Sequence, residues 1–382
     1  MDSRPAMNSI TAFLGTFSRL LQGQLFPVLT EELGPLGDHH EAFVRALALL
    51  QLDGFVAPRR GRGRPAHDRA SVARAFLAKA VFNIPHTRAL LDRLAHDPTL
   101  RRLCGWERAA GVPEESVFSR AFSEFASDEF AQRVHAALIQ RTQSERLVGH
   151  ILRDGTAIEA REKAAPKPAQ AKGPRRLHRK AGTAQRPEQM TRIERQASGT
   201  MTLAEMVAEL PRACNVGCKP NSKGVREYWT GYKLHVDVAD GQIPISCVLT
   251  SASLNDNQVA IPLAMLTAQR VTSCYDLMDA GYDSDAIRSH SRGLGHVPII
   301  PHQKHGTMEQ EFAPHEKARY RERTTAERVY SRLKDEFGGR CVRVRGWAKV
   351  MTHLMFGILA LTADQIQRWL ATRPPPDTPA LA

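Results

Sequence analysis

The order of strand-like and helix-like patterns in residues 149–370 is the feature that most constrains the fold of this 382-residue chain. Stretches typical of β-strands come first, and helical patterns are then interleaved with them. The predicted strands are residues 149–160, 229–240, 243–252, 274–282 and 296–301, and the predicted helices are 257–269, 283–295, 324–337 and 348–370. Adjacent strands followed by alternating units favour an α/β fold, a mixed sheet with helices on both faces.

The region before these strands reads as helical, and we predict a compact helical DNA-binding domain over residues 38–147. Phe118, Phe122 and Phe125 share one helical face, which is expected to pack in the core. A glycine-rich loop between two of the predicted helices carries four arginines, Arg59, Arg60, Arg62 and Arg64. Such a loop suits contacts with DNA phosphates or a minor groove, although a solvated linker explains it equally well.

The charge balance favours a polyanionic partner. The chain has 53 Lys and Arg against 40 Asp and Glu, with a net charge of +13. Nucleic acid is the commonest such partner, but net charge by itself reports only solubility and non-specific binding. Residues 161–195 carry eleven Lys or Arg and four Pro, and are expected to be extended or disordered when free. They are either a salt-sensitive DNA contact or a tolerated loop insertion.

These patterns predict the domain organisation and the compartment. The predicted units are an N-terminal arm (1–37), the helical domain (38–147), the sheet domain (148–370, with a flexible insertion at 161–225) and a disordered tail (371–382). The six cysteines form no short-spaced framework, and the N-terminus lacks a clear signal peptide, so a cytoplasmic protein is expected. The longest apolar run, which begins at Leu354, is too short to span a bilayer and predicts a buried helix.

Three carboxylates are the candidate catalytic residues. Asp154 and Asp279 each end an apolar predicted strand, just before small residues, and Glu327 lies on a helix that follows the last strand. Ligands of open α/β sheets gather outside the carboxyl ends of strands. Carboxylates that converge there repel one another unless a divalent cation lies between them, and Mg²⁺ prefers such oxygen ligands. Taken alone, each aspartate is better explained as a cap or turn residue than as a metal ligand, and only their joint placement favours a metal site.

The predicted helix around Glu327 carries further polar residues on one face. Tyr320, Arg323 and Lys334 lie at positions −7, −4 and +7 relative to Glu327. In a continuous helix these offsets fall within roughly 60° of one another. The face would offer one carboxylate for a metal ion, two cations for phosphates and an aromatic hydroxyl. A surface ion pair between Arg323 and Glu327 is the alternative, but it gives Tyr320 and Lys334 no role.

The stretch "YRERTTAERVYSRLK" fits the signature Y-x2-R-x3-E-x6-K at all four fixed positions. With "DGT" at Asp154, "DAGYDS" around Asp279 and "IPHTRALLDRLAHDPTLRRLCG" in the N-terminal part, the chain resembles the DDE transposases of bacterial insertion sequences over residues 38–370. The long strand-rich insertion that some relatives carry before the glutamate has no room here, since 48 residues separate Asp279 from Glu327.

The resemblance implies a ribonuclease H-like core in which Asp154, Asp279 and Glu327 ligate two Mg²⁺ ions, with Mn²⁺ as the alternative. It further implies that Arg323 and Lys334 hold phosphates and that Tyr320 positions DNA. The expected activity is cleavage at terminal inverted repeats and joining of the 3′-hydroxyl end to target DNA. A homodimer acting on double-stranded DNA in the bacterial nucleoid is implied as well. A metal-dependent endonuclease without strand transfer and an inactive DNA-binding derivative are the alternatives.

Overall fold

The computed structural model of the protein describes residues 21–57, 67–166, 190–220, 224–302 and 312–371. The four arginines predicted to contact DNA, Arg59, Arg60, Arg62 and Arg64, lie outside these ranges. So do most of the predicted N-terminal arm, most of the basic stretch at 161–195 and nearly all of the predicted tail. The predicted domain boundaries stay predictions.

The N-terminal part of the structure is helical, as predicted. Its helices are α1 (Phe26–Leu33), α2 (Asp38–Leu50), α3 (Arg69–Val81), α4 (Thr87–His96), α5 (Pro98–Cys104), α6 (Glu115–Ser127) and α7 (Phe130–Gln143). Local sequence explains several of their starts. The Asp68 side chain accepts hydrogen bonds from the backbone N–H groups of Ala70 and Ser71, and Asp97 caps α5 in the same way.

The C-terminal part contains a six-stranded mixed sheet, which confirms the predicted fold class. Its strands are β1 (Leu147–Glu159), β2 (Asn215–Pro220), β3 (Arg226–Ala239), β4 (Ile243–Ser251), β5 (Thr272–Leu277) and β6 (Val297–Ile299). Strand β1 pairs antiparallel with β3 and parallel with β5, β5 pairs parallel with β6, and both β2 and β4 pair with β3. This is the ribonuclease H-like arrangement that the resemblance implies.

Helices cover both faces of the sheet. The remaining helices are α8 (Arg192–Ala197), α9 (Leu203–Ala208), α10 (Ala260–Ala268), α11 (Asp285–Gly293), α12 (Pro314–Tyr320), α13 (Thr324–Asp335) and α14 (Trp347–Ala371). On α10, the Thr267 hydroxyl donates to Asp237, which pairs with Arg153 across β1 and β3. On α13, Lys334 donates to Thr156, three residues further along β1 and therefore on the opposite face.

The helical part and the sheet share one hydrophobic core, because α14 packs against both. Its Phe356 lies with a ring-centroid separation of 5.7 Å from Phe76 and 6.4 Å from both Phe122 and Phe125. The phenylalanine face predicted to pack in the core is therefore buried. In the ranges that the structure covers, no helix has the length and hydrophobicity needed to cross a membrane.

The predicted elements differ from the structure mainly at short or polar segments. The predicted strand 274–282 ends at Leu277 because the chain turns into a 3₁₀-helix at Ala280–Tyr282. The four signature residues do not lie on one continuous helix, which was the condition for their sharing a single face. A 3₁₀ turn at Arg321–Arg323 separates α12 from α13. Strand β2 was not predicted, since its sequence "NVGCKP" lacks both alternation and β-branched residues beyond one Val.

Candidate active site

Asp154 and Asp279 come together where the parallel pairing of β1 with β5 ends. The last pair in register is Leu152 with Leu277, and the same offset continued brings Asp154 level with Asp279. Strand β5 stops at Leu277, and the Asp279 carboxylate accepts a hydrogen bond of 2.9 Å from the backbone N–H of Gly281. This satisfies the expectation that the two aspartates lie at one edge of the sheet.

Asp154 itself does not end its strand, which corrects the prediction. Strand β1 continues to Glu159 because β3 remains its antiparallel partner, with Asp154 opposite Val236. Only the parallel half of the ladder stops before Asp154. The carboxylate therefore projects from a backbone that is hydrogen-bonded on one side, and such a support fixes its position better than a free loop would.

The two aspartates repel each other in a half-buried site. The pKa of Asp154 is raised to about 6, chiefly by burial and also by the nearby carboxylates of Asp279 and Asp256, while the Gly155 N–H and the Arg323 guanidinium act to lower it. Burial likewise raises the pKa of Asp279, with a further contribution from Asp256. The described residues near these carboxylates therefore do not fully neutralise them.

Asp256 is an acidic neighbour that the sequence did not point out. Its Oδ1 lies 2.9 Å from the Lys233 ammonium and 3.6 Å from Nδ1 of the buried His235. A Cβ added to Gly155 would lie only 2.9 Å from that same oxygen, so Gly155 is needed for this close approach. The available signal was weak: Asp256 follows strand β4 in "NDN", where a turn residue is the ordinary interpretation.

Glu327 lies on α13, which is fastened to β1 beside Asp154. The Tyr330 hydroxyl donates to the carbonyl oxygen of Asp154, and the Lys334 ammonium donates to the Thr156 hydroxyl at 2.8 Å. Glu327 precedes Tyr330 by three residues, so it occupies the neighbouring turn on the same side of the helix. Its side chain is 61% exposed and lies 3.5 Å from Arg323.

Arg323 is the cation that links these acidic residues. It lowers the pKa of both Asp154 and Asp279, and its guanidinium is within ion-pair distance of Glu327. It also lies 5.9 Å from the ring centroid of Tyr320, whose pKa is raised by burial. Three of the four signature residues thus remain neighbours despite the 3₁₀ turn, while Lys334 is turned towards β1.

The structure does not bring all three predicted ligands into one cluster. Within the described residues, no group of three or more His, Cys, Asp or Glu side chains is arranged to hold a metal ion. The closely spaced carboxylates of Asp154 and Asp279 nevertheless fit a hard divalent cation, because they are oxygen donors whose mutual repulsion a cation would relieve. Metal ligation by Asp154, Asp279 and Glu327 stays a prediction.

A second ionic group lies directly behind the site. Arg153, which is 2% exposed, donates two hydrogen bonds to Asp237, at 2.8 and 2.7 Å, and lies 4.0 Å from Asp276. Asp276 also accepts hydrogen bonds from Ser291 at 2.5 Å and from His296 at 3.2 Å. The group joins β1, β3 and β5, the strands around the two candidate aspartates.

Comparisons with known families identify transposase domains in two parts of the chain. A family model described as "Transposase DDE domain" matches residues 212–363, and one described as "Transposase domain (DUF772)" matches residues 33–124. The fold and these matches define a transposase with a DDE domain. More particularly, the chain belongs to the DDE transposases of insertion sequences. No curated protein and no solved structure gives a significant match.

The family matches include two of the three candidate carboxylates but not the third. The DDE-domain match includes Asp279 and Glu327 but begins 58 residues after Asp154, and the N-terminal match ends before it. The assignment of Asp154 to the candidate site therefore depends on the geometry of β1 and β5 alone. Its parallel alignment with Asp279 is the observation that joins it to the site.

Proposed function

We propose that this transposase binds the terminal inverted repeats of an insertion sequence, cleaves their phosphodiester bonds with two divalent metal ions, and joins the freed 3′-hydroxyl to target DNA. The alignment of Asp154 with Asp279 just beyond the end of the parallel ladder, with the charge of Asp279 acting on Asp154, is the single observation that most supports this proposal. A homodimer would place one such site at each end of the element.

In this proposal Asp154, Asp279 and Glu327 hold the metal ions, with Mg²⁺ preferred and Mn²⁺ as a substitute. When bound, two such ions lower the cost of charge on the attacking and leaving oxygens of an in-line displacement. Glu327 would leave Arg323 and turn towards the aspartates, a motion that its exposed side chain permits. The contacts of Tyr330 and Lys334 with β1 keep α13 in place during that change.

The basic residues around the carboxylates would then act on DNA. Arg323, released from Glu327, is positioned to contact a phosphate beside the scissile bond, and Tyr320 beside it would position the same strand. Lys233 compensates Asp256, which keeps that third aspartate from adding its full repulsion to the site. Lys334, held by Thr156, would reach a phosphate further along the strand.

Substitution of the three proposed ligands tests the chemistry. We expect Asp154→Asn, Asp279→Asn and Glu327→Gln each to abolish Mg²⁺-dependent cleavage of terminal-repeat DNA while leaving binding of that DNA largely intact. Asp285→Asn, at the exposed start of α11, is a control that also removes one carboxylate. Cleavage that persists in the three site variants would show that these residues are not the metal ligands.

Strand transfer is tested separately with pre-cut ends. Supplied with pre-cut terminal-repeat DNA and a target plasmid, the wild-type protein should form joined products in Mg²⁺, and Asp279→Asn should not. An enzyme that cuts intact ends but never joins pre-cut ones would be a metal-dependent endonuclease of the same fold rather than a complete transposase.

A further inference from the structure

A basic cavity lies between the helical part and the end of the sheet domain, apart from the carboxylate site. Its volume is about 750 Å³, within the range of ligand-binding pockets. Among the residues described, its lining includes six cationic side chains but only one carboxylate, that of Glu115. The six are Lys79, Arg88, Arg161, Arg343, Arg345 and Lys349.

Among these residues, Lys79 gives the strongest indication of an anion site, because it is buried without a compensating charge from the described residues. It lies on α3 and is 8% exposed. Among the residues that the structure describes, none gives its ammonium an ion pair or a side-chain hydrogen bond. Burial accordingly lowers its pKa to about 8. A buried ammonium is costly unless something pairs with it, so this site favours an anion.

Other cations on the wall are also uncompensated. Arg343 and Lys349 have no carboxylate partner among the described residues, and Arg345 donates to the backbone carbonyl of Arg161 at 3.0 Å rather than to an acid. Glu115, the one lining carboxylate, lies 3.7 Å from Arg88, and both side chains of that pair are largely exposed.

Two helix N-termini add to the positive potential. The first turns of α4 and α14 contain no acidic residue, although acids are the favoured residues there, and instead carry Arg88 and Lys349 at the cavity. A cation in that position does not stabilise its own helix. The presence of cations in both first turns is better explained by a negatively charged ligand that both helix N-termini would attract.

The shape of the cavity indicates which anion fits. Phe76 and Phe122 form part of its wall, so it combines apolar surface with cations, as a nucleotide requires. Arg161 is seven residues from Asp154 along β1 and its extension, which limits their separation to about 25 Å. That distance corresponds to about seven nucleotides along one strand of duplex DNA.

We propose that this cavity binds phosphate groups of a single nucleic-acid strand, with Lys79 contacting one phosphate and Arg343 and Lys349 contacting its neighbours. The proposal rests on the proposed function for the identity of the substrate. It adds a second contact with the DNA, away from the carboxylates, that would hold a separated strand within about seven nucleotides of the site of cleavage.

Cysteine protection gives a readout at the cavity itself. Cys341 lines the cavity, whereas Cys274 on β5 does not, and both thiols are half-buried. In EDTA, a single-stranded 12-mer added to the full-length protein should slow alkylation of Cys341 several-fold, as followed by mass spectrometry, and leave Cys274 unchanged. Equal alkylation rates at Cys341 with and without the 12-mer would overturn the proposal.

Variants of the cations make the test specific. Lys79→Met and Arg343→Gln should each remove the protection and lower the salt dependence of 12-mer binding by about 0.7 in the slope of log K against log salt. Arg292→Gln, an exposed arginine on α11 outside the cavity, is the charge-matched control. Lys79→Met should fold at least as stably as the wild type, so loss of protection could not be ascribed to unfolding. Cavity variants that retain full protection would overturn the proposal.

Two further arms separate the possible outcomes. If a nucleoside triphosphate protects Cys341 at lower concentration than the 12-mer does, the cavity is a site for free nucleotides and the strand assignment is wrong. Asp154→Asn should show full protection, because it lies outside the cavity. Cleavage by Asp154→Asn would count against the proposed metal chemistry without affecting the result at Cys341, so the two proposals can fail independently.

Discussion

Arg153 and Asp154 are adjacent on β1, but they belong to two different groups of acidic side chains. Arg153 joins Asp237 and Asp276 in a fully buried group, whereas Asp154 joins Asp279 at the sheet edge with only partial compensation from Arg323. Burial raises the pKa of Asp237 even beside Arg153, but Arg153 and its other partners hold the pKa of Asp276 below the usual value, whereas the pKa of Asp154 rises. The first group has its counter-charge within the fold, and the second lacks a full one among the residues described.

The difference separates a structural from a functional use of the same residue type. Buried carboxylates that already have a cation are committed to holding strands together. Carboxylates held side by side with an incomplete counter-charge keep an affinity for a cation from solution. Four predictions test how buried charged and polar groups contribute to this protein, in decreasing order of expected effect.

Removing Arg153 should cause the largest change. Arg153→Met leaves Asp237 and Asp276 buried without their cation, and breaking one side of a buried ion pair costs about 3–5 kcal/mol in the free energy of unfolding. Urea denaturation measures the loss. Arg340→Met, which breaks an exposed pair with Asp335, should have little effect, and a similar loss in both variants would remove the distinction between the two kinds of pair.

Lys79→Met should change stability in the opposite direction. The folded-state pKa of Lys79 is about 8, below the 10.5 of the unfolded chain, so the charged lysine destabilises the fold below pH 8. The wild type should gain stability as pH rises from 8 to 10.5, because only the unfolded state then still binds the proton. We expect the variant to be more stable by roughly 2–3 kcal/mol at pH 7, with the difference shrinking across that window. A pH-independent difference in urea denaturation would contradict this explanation.

Added Mg²⁺ should stabilise the wild type through the second acidic group. A ligand at ten times its Kd stabilises the native state by about 1.4 kcal/mol, and chelation with EDTA should reverse the gain. Asp154→Asn should show no such gain in thermal melts, whereas substitution of the exposed Asp285 should leave it intact. A Mg²⁺-dependent shift that survives in Asp154→Asn would place the ion elsewhere.

The smallest effect is expected from the hydrogen bond that joins α13 to β1. Tyr330→Phe removes the hydrogen bond to the Asp154 carbonyl and should cost about 1 kcal/mol of stability. Cleavage should slow with it, because α13 carries Glu327. Tyr228→Phe, at a side chain that is 65% exposed, is the matched control. Unchanged stability and cleavage in Tyr330→Phe would mean that this contact does not position the helix.

Local pattern was enough to predict much of the fold. The strand predicted at 149–160 is β1 at Leu147–Glu159, and the predicted buried helix 348–370 is α14. Both patterns depend on apolar periodicity, which is a property of neighbouring residues. The alignment of Asp154 with Asp279 also followed from a general rule, since parallel strands present their carboxyl ends at one edge.

Relations across long stretches of chain could not be predicted in this way. Arg153 and Asp237 are 84 residues apart, and only the register of β1 with β3 brings them together. From its sequence neighbours, Asp256 resembled a turn residue. Its closeness to Gly155 arises from the packing of separate strands, which the local sequence does not reveal. The 3₁₀ turn before α13 broke the helical face that periodicity indicated, since helix continuity depends on tertiary packing as well as on sequence.

The position of α14 has a consequence for how the protein is made. The Phe356 ring lies among four phenylalanines of the helical part, Phe76, Phe122, Phe125 and Phe130, which are synthesised more than 200 residues earlier. The helical part therefore emerges from the ribosome before the helix that packs against it, and the contacts between α14 and both parts form only once α14 follows. A chain that ended before α14 would contain Asp154, Asp279 and Glu327 yet lack the helix that joins the helical part to the sheet.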